Sequence, residues 1–561
     1  MNDTGGQRRS SAPATSAFGI TAWIPMLVVL AALLRGFPQG HDWTFELVRV
    51  AEYGHALASG QLPPAWAENL YGGHGSPIFL YYAPLFAAVA SSAGSLIGSI
   101  PWGAVAALAG FAGIGAWSIR RAAFLASGGS TEGARIAVAL YVLHPYLLCD
   151  MLLRNANAEF AALCVAPLAL CGVLELRERP RWGALWLSSG LALTTLAHNL
   201  TGVGMTVLSL AAGLWLNRRG EERRAWIWLG LGLLLGVGMA AFFWLPAVAL
   251  QDLVRTETML LGKFDFHHQF PDLGALFGYE KFYGAGWLPA ALLLTAAFVA
   301  VRERSANDPG AQTLRGLMLG AVLLLLLMQP LTTFVWEHLP LLAYLQFPWR
   351  LQGPLALLTA LAGAISLTRL LAPLDSSRRR IVEVAVLLMA IGNAAPHLLD
   401  ARPLGPRAQA WLTDGLEAGS IRRERSAATV LDEYLPRSAS KAAADDTPLE
   451  RGSIVAQAAG VRIAVEEDRG SRLRMLVSTE GPTDLVFARW QFPGWHAQID
   501  GSEAEMRSDP HGRIQLTVPT GEHQVELGFG APPSRKIGLV ISGVTLAIWI
   551  GLLQAAIRRG T

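Results

Sequence analysis

The chain has 561 residues, 52% of them hydrophobic and only 16% charged, with a formal net charge of +3. Soluble domains carry about a quarter charged residues, so this composition describes a polytopic membrane protein with one soluble part. Its basic residues are scattered among loops, which gives nucleic-acid binding no support. Cys149, Cys164 and Cys171 lie in or beside apolar segments without metal-ligand or disulfide spacing, which argues against redox chemistry.

In chain order, residues 1–17 read as a cytoplasmic tail, and Arg8 and Arg9 precede a first apolar segment with no small-residue cleavage site after it, so that segment reads as a retained anchor. Segments long enough to cross a bilayer fall near 18–36, 102–119, 134–149, 159–176, 183–198, 201–216, 226–246, 287–301, 315–334, 352–370, 381–398 and 537–556. A further apolar run, 77–99, satisfies the same length criterion. Arginines cluster at 8–9, 120–121 and 135, 177–181, 218–224, 302–315, 369–380 and 558–559. If 77–99 does not cross, all of these clusters face the cytoplasm. If it does cross, the later ones face the wrong side. The predicted topology therefore has twelve crossings with both termini cytoplasmic, and 77–99 is an in-plane or re-entrant part of the first external loop.

That topology places a set of polar groups at one membrane face. The first external loop opens on Gly40-His41-Asp42-Trp43-Thr44-Phe45-Glu46-Leu47-Val48-Arg49, where Asp42, Glu46 and Arg49 recur at i, i+4 and i+7 and share one helical face. An isolated Asp here is more often a helix cap. Charge at a membrane boundary is costly, however, and usually has a task. The same face receives His74 in the Tyr71–Gly75 turn, and Asp150, Arg154 and Glu159 on the second external loop. It also receives His198, the loop 247–286, and Gln346-Phe347-Pro348-Trp349-Arg350. Arg350 suits a phosphate because guanidinium is planar, permanently charged and bidentate; the bland alternative is interfacial snorkelling. Arg154 with Asp150 reads equally as a structural ion pair, and His198 as the polar end of a helix. Arg49 is close enough in sequence to help keep Asp42 ionised.

From about Asp400 to Pro533 the composition changes to mixed charge, Ala, Ser and Pro. Short strand-like runs then follow at 452–458, 461–466, 472–478, 483–490, 496–499, 513–518 and 522–529. The predicted organisation is a transmembrane domain over 18–399, a linker plus β-sandwich on the extracytoplasmic side over 400–535, and a final transmembrane helix with a cytoplasmic tail over 536–561. The sandwich is expected to hold no catalytic residues.

These motifs have a family resemblance. The acid after the opening crossing, the Gly-rich turn and Ser76-Pro77-Ile78-Phe79-Leu80-Tyr81-Tyr82-Ala83-Pro84-Leu85 resemble the GT-C membrane glycosyltransferase superfamily. More narrowly, Leu-Tyr-Gly-Gly-His-Gly-Ser-Pro at 70–77 and Gln346–Arg350 resemble bacterial membrane proteins labelled 6-pyruvoyl-tetrahydropterin synthase-related. Asp150 with Arg154 and Glu159, and Glu433-Tyr434-Leu435-Pro436, fit the same pattern. The tail Phe492-Pro493-Gly494-Trp495-His496 is similar to the sandwich that ends YfhO-like proteins.

The resemblance implies a GT-C-like fold in a bacterial inner membrane and transfer of a sugar from a polyprenyl-phosphate donor to an envelope glycan, lipid or protein acceptor. Asp42 would be the catalytic base, with Asp150 assisting it or helping to hold a metal. Arg350, Arg154, Glu159, Glu46, Arg49, His74, Gln346 and His198 would bind donor phosphate or substrate. A divalent metal, Mg or Mn, is compatible with the resemblance but not required by it, and Trp43 stands where many family enzymes place a second acid. The alternative is a non-enzymatic scaffold or transporter for envelope polysaccharide. The near absence of ionisable residues in mid-span disfavours transport.

Overall fold

The structure, a computed structural model, is described for residues 20–218, 223–305, 308–406, 408, 416–423, 429, 431–442, 454–456 and 460–558. The expected tail 1–17 and most of the linker before 454 lie outside the described residues.

Each of the twelve predicted segments falls on a helix. Among the described residues, seven helices are long and apolar enough to cross a membrane. Two further pairs, Thr131–Val142 with Pro145–Arg154 and Arg223–Met239 with Ala241–Ala249, qualify if each is one span bent by 43° and 69°. The chain is thus a multi-pass membrane protein. The difference from twelve lies in Ile20–Leu33 and Trp287–Arg302, of 14 and 16 residues, and in Pro180–Ala197. At 1.5 Å per residue the first two fall short of a ~30 Å hydrocarbon core. The third is diluted by Arg181, Ser188, Ser189, Thr194 and Thr195. The run 77–99 divides into a single turn, Ile78–Leu80, and a helix, Leu85–Ile97. That helix is also too short to span alone, and it folds back on Ile100–Ala126 through the turn at Gly98 and Ser99. Small residues let helices touch at the backbone: a Cβ at Gly172 would lie 2.2 Å from Leu187 N, and one at Gly190 2.3 Å from Ala169 N.

The C-terminal strands form two antiparallel sheets. One has the order β1 (Ile454–Ala456), β4 (Thr483–Trp490), β8 (Arg513–Val518), β7 (Met506–Ser508). The other has the order β2 (Arg462–Asp468), β3 (Arg472–Thr479), β9 (Gly521–Phe529), β5 (Trp495–Ile499), β6 (Ser502–Ala504). Alternate residues Leu473, Met475 and Val477 on β3 and Ile514, Leu516 and Val518 on β8 are buried in one core, as period-two patterning requires. The two short strands β6 and β7 were not expected from sequence. Each has three residues, two of them polar and exposed, with Ala504 and Met506 the one partly buried apolar residue in each, and β5 turns into β6 through Asp500 and Gly501, both at positive φ.

This β region is packed on the first loop. Trp66 meets Trp495 and Phe529 at ring-centroid distances of 5.4 and 4.9 Å, Trp490 N donates to His74 O at 3.2 Å, and Ser471 N donates to Glu68 Oε2 at 3.1 Å. Gly75, at φ +81°, passes so close to Trp66 that a Cβ there would lie 2.1 Å from the indole nitrogen. The Gly-rich turn at 72–75 is therefore the seat on which the β region rests.

Candidate functional site

The chain leaves Ile20–Leu33 and lays Gly40-His41-Asp42 against Leu153-Arg154-Asn155. His41 N donates to Leu153 O at 2.8 Å and Asp42 N to Arg154 O at 2.9 Å, while Gly40 N donates to Asn155 Oδ1 at 2.7 Å. A Cβ at position 40 would lie 2.3 Å from Asn155 Oδ1 and 2.7 Å from Leu153 O, so only glycine allows this approach. The opposing segment is equally specialised. Asp150–Arg154 is a single π-helical turn ending at Asn155 in the left-handed region, a conformation Asn tolerates. Such wide turns recur at functional sites.

Asp42 stands at the N-cap position of the helix Trp43–Ala58, yet its side chain accepts no hydrogen bond from that helix. Its Oδ1 meets His41 Nδ1 at 2.6 Å instead, and the side chain remains 38% exposed. The usual structural reason for an Asp at this position is absent. The carboxylate lines a cavity of 890 Å³ that also receives Glu46, Arg49, Arg154, Glu159, His198, Gln346 and Arg350.

One wall of the cavity is an alternating charge network. Arg154 pairs with buried Asp150 and reaches Glu159 at 3.4 Å, and Glu159 stands 3.7 Å from Arg350. The Tyr146 hydroxyl donates to Glu159 at 2.7 Å. The Arg154 guanidinium lies 4.8 Å from the centre of the Trp349 ring. Arg350 donates to Leu345 O at 3.1 Å and, more weakly, to Gln346 Oε1 at 3.4 Å, with 18% of its side chain exposed. Gln346 is anchored by donating to Met259 O. His198 caps the helix Asn199–Asn217 through Nδ1 and meets Thr201 Oγ1 at 2.8 Å. It is thus both a satisfied helix end and a cavity residue.

Also lining the cavity, Arg49 pairs with Glu46 and lies 4.1 Å from the centre of the Tyr82 ring, and the Tyr82 hydroxyl donates to Glu46 at 3.0 Å. Arg49 is therefore committed to Glu46 and Tyr82, and His41, not Arg49, is the hydrogen-bond partner of Asp42. Glu433 also faces this space. Burial pushes its carboxyl up, opposed by hydrogen bonds from its own amide and Thr429 and by the charge of Arg49.

Two of the expected site residues are not on the cavity wall. Asp150 is fully buried behind Arg154, where it can hold the guanidinium but is shielded from the cavity. His74 is fully buried, stacks on Trp490 at 4.3 Å and lies next to Tyr71 O. It is an interface residue of the β region, and burial pushes its imidazole down to about 4. Sequence reading also passed over His41, Tyr146 and Lys263, the last another cation lining the cavity. Adjacency to Asp42 was the available signal for His41; Tyr146 and Lys263 offered none. Among the described residues, no three His, Cys, Asp or Glu side chains converge as metal ligands.

The architecture and site define a class: a multi-pass membrane protein with a large cavity lined by an uncapped acid and by arginines. No protein-family model matches the chain, and no curated protein matches it. Among solved structures, the chain is similar to the arabinofuranosyltransferase AftD from mycobacteria (19% identity, TM-score 0.45, 70% of this chain and 28% of that one). It is also similar to the Archaeoglobus fulgidus oligosaccharyltransferase in its apo form (13%, TM-score 0.46, 77% and 62%). A third is ArnT from Cupriavidus metallidurans bound to undecaprenyl phosphate (15%, TM-score 0.39, 72% and 73%). The chain spans about a quarter of the length of AftD and under two thirds of the oligosaccharyltransferase.

Proposed function

We propose that the chain is a GT-C-type glycosyltransferase, taking a sugar from a polyprenyl-phosphate donor and placing it on an envelope acceptor at the extracytoplasmic face, with twelve crossings and both termini inside. The observation that carries this reading is the meeting, in one cavity, of Asp42 without a capping bond and the Arg154–Glu159–Arg350 network. The cavity also reaches exposed apolar positions, Val203, Val207 and Val248, where a lipid chain can lie.

The roles follow from the chemistry. An acceptor hydroxyl loses its proton to Asp42 as its oxygen attacks the anomeric carbon. The bond from that carbon to the lipid phosphate breaks, and the departing phosphate takes the electron pair. Arg350, steadied by Gln346 and Glu159, stabilises the resulting charge, with Arg154 behind it. Asp150 acts here as a positioning residue for Arg154.

The test is transfer from synthetic polyprenyl-phosphate sugars by the purified chain in lipid nanodiscs, alongside equilibrium binding of undecaprenyl phosphate. Arg350→Lys keeps the charge but loses the bidentate fork, and it is expected to weaken undecaprenyl-phosphate binding about tenfold, the effect of one charge-assisted hydrogen bond. Unchanged lipid-phosphate binding in Arg350→Lys contradicts the assigned donor site.

A further inference from the structure

Glu433 comes from a segment outside the membrane helices and is held in place on several sides. Its carbonyl accepts from Arg255 N at 3.0 Å, and Val254 and Pro436 form an isolated bridge. Arg437 grips Glu257 at 2.7 and 2.8 Å, and the Tyr71 hydroxyl donates to Asp432 at 2.9 Å. So firm a mounting normally accompanies a satisfied side chain. Here, Glu433 Oε2 is buried without a hydrogen-bond partner among the described residues, although the residue lines the cavity. A buried acceptor left unpaired is costly, and a donor arriving from the cavity removes that cost.

The identity of that donor follows from what surrounds it. Arg49, the cation nearest in effect, is already paired with Glu46, and Asp42 adds a second carboxylate to the same space. An anionic group is therefore repelled here, and a neutral hydroxyl is suited. The wall is aromatic as well as acidic. Tyr434 stacks on Tyr81 with centroids 5.3 Å apart and planes 7° from parallel, and Tyr82 lies beside Glu46. The cations Arg154 and Arg350 pair with Glu159, not with Glu433. We infer that Glu433 is an acceptor-binding residue, receiving through Oε2 a hydroxyl of a neutral, hydroxyl-rich sugar in the same cavity as the donor phosphate subsite. This assignment rests on the glycosyl-transfer reading above and deepens it: the segment outside the membrane helices completes the acceptor side of the cavity.

The experiment is equilibrium binding to the full chain in nanodiscs of octyl glycosides of glucose, galactose, mannose and arabinofuranose, with undecaprenyl phosphate measured in parallel. At least one glycoside is expected to bind saturably to the wild type. Glu433→Gln, isosteric and uncharged, is expected to weaken that glycoside about tenfold or more, the range of a hydrogen bond to a charged group, and to leave undecaprenyl phosphate within about twofold. Equal glycoside affinity in wild type and Glu433→Gln overturns the inference, as does the absence of saturable binding by any glycoside. Loss of both ligands together assigns Glu433 a structural role and also overturns it. A wild type that binds a glycoside through Glu433 but no undecaprenyl phosphate overturns the donor reading instead, so the two failures are distinct.

Discussion

Asp42 and Asp150 are the same side chain, each just beyond an apolar helix and on segments hydrogen-bonded to each other through Asp42 N and Arg154 O. They have opposite surroundings. Asp42 is 38% exposed, touches His41 and lines the cavity. Asp150 is fully buried, and one of its oxygens has no hydrogen-bond partner among the described residues. The cause is backbone geometry: the π turn carries Asp150 into the packed interior, while the glycine approach at position 40 holds Asp42 at the edge of open space. A carboxylate at a membrane boundary is thus defined by the turn beneath it. One can react with solvent-borne groups; the other can only balance an arginine.

Substitutions at the two positions should separate along that line. Among the described residues, Asp150→Asn leaves Arg154 with only Glu159 as a charged partner near hydrogen-bonding distance. The expected cost is about 3 kcal/mol of stability, the low end for breaking a buried pair. It should be read as a lowered apparent melting temperature in nanodiscs, with turnover per folded molecule much less affected. A stable Asp150→Asn with no turnover would erase the distinction.

The β-region interface has its own signature. His74 is buried neutral, and its imidazole is pushed down to about 4 from an ordinary value near 6.5. The unfolded chain therefore binds a proton that the folded chain refuses. Stability is full above pH 6.5 and declines as pH falls toward 4, by on the order of 2–3 kcal/mol at the acid end. Comparing melting temperature against pH for wild type and His74→Asn isolates this contribution; identical slopes would show that His74 titrates freely. A smaller effect is expected from Gly40→Ala, about 1–3 kcal/mol of local strain. This change should displace the Asp42 segment from Asn155, reducing turnover while leaving undecaprenyl-phosphate binding intact.

Much of this arrangement was legible in the sequence, for a specific reason. Arginine asymmetry sorts loops by membrane face, and that grouping put Asp42, Arg154, Glu159, His198, Gln346 and Arg350 on one list before their cavity was seen. Helix positions followed from long apolar runs, and seven of the nine strands from short alternating ones. Burial was not legible. Nothing in the spacing of Asp150, Arg154 and Glu159 announces a π turn that sets the first behind a cavity the other two line. His74 resembled a loop histidine until its stack on Trp490 appeared, and the pairing of Trp66 with β5 and β9 spans more than 400 residues. Tyr146 was hidden for the same reason, since its role depends on Glu159 meeting it across a helix break.

The most direct measurement of the central claim is the turnover of Asp42→Asn against wild type, with a polyprenyl-phosphate sugar donor and undecaprenyl-phosphate binding as the folding control. General-base assistance contributes about 10²–10⁴ in rate, so Asp42→Asn should lose about that factor while binding the lipid phosphate normally. Full turnover in Asp42→Asn, with turnover lost in a stably folded Asp150→Asn, would contradict the account and move the base to the buried position.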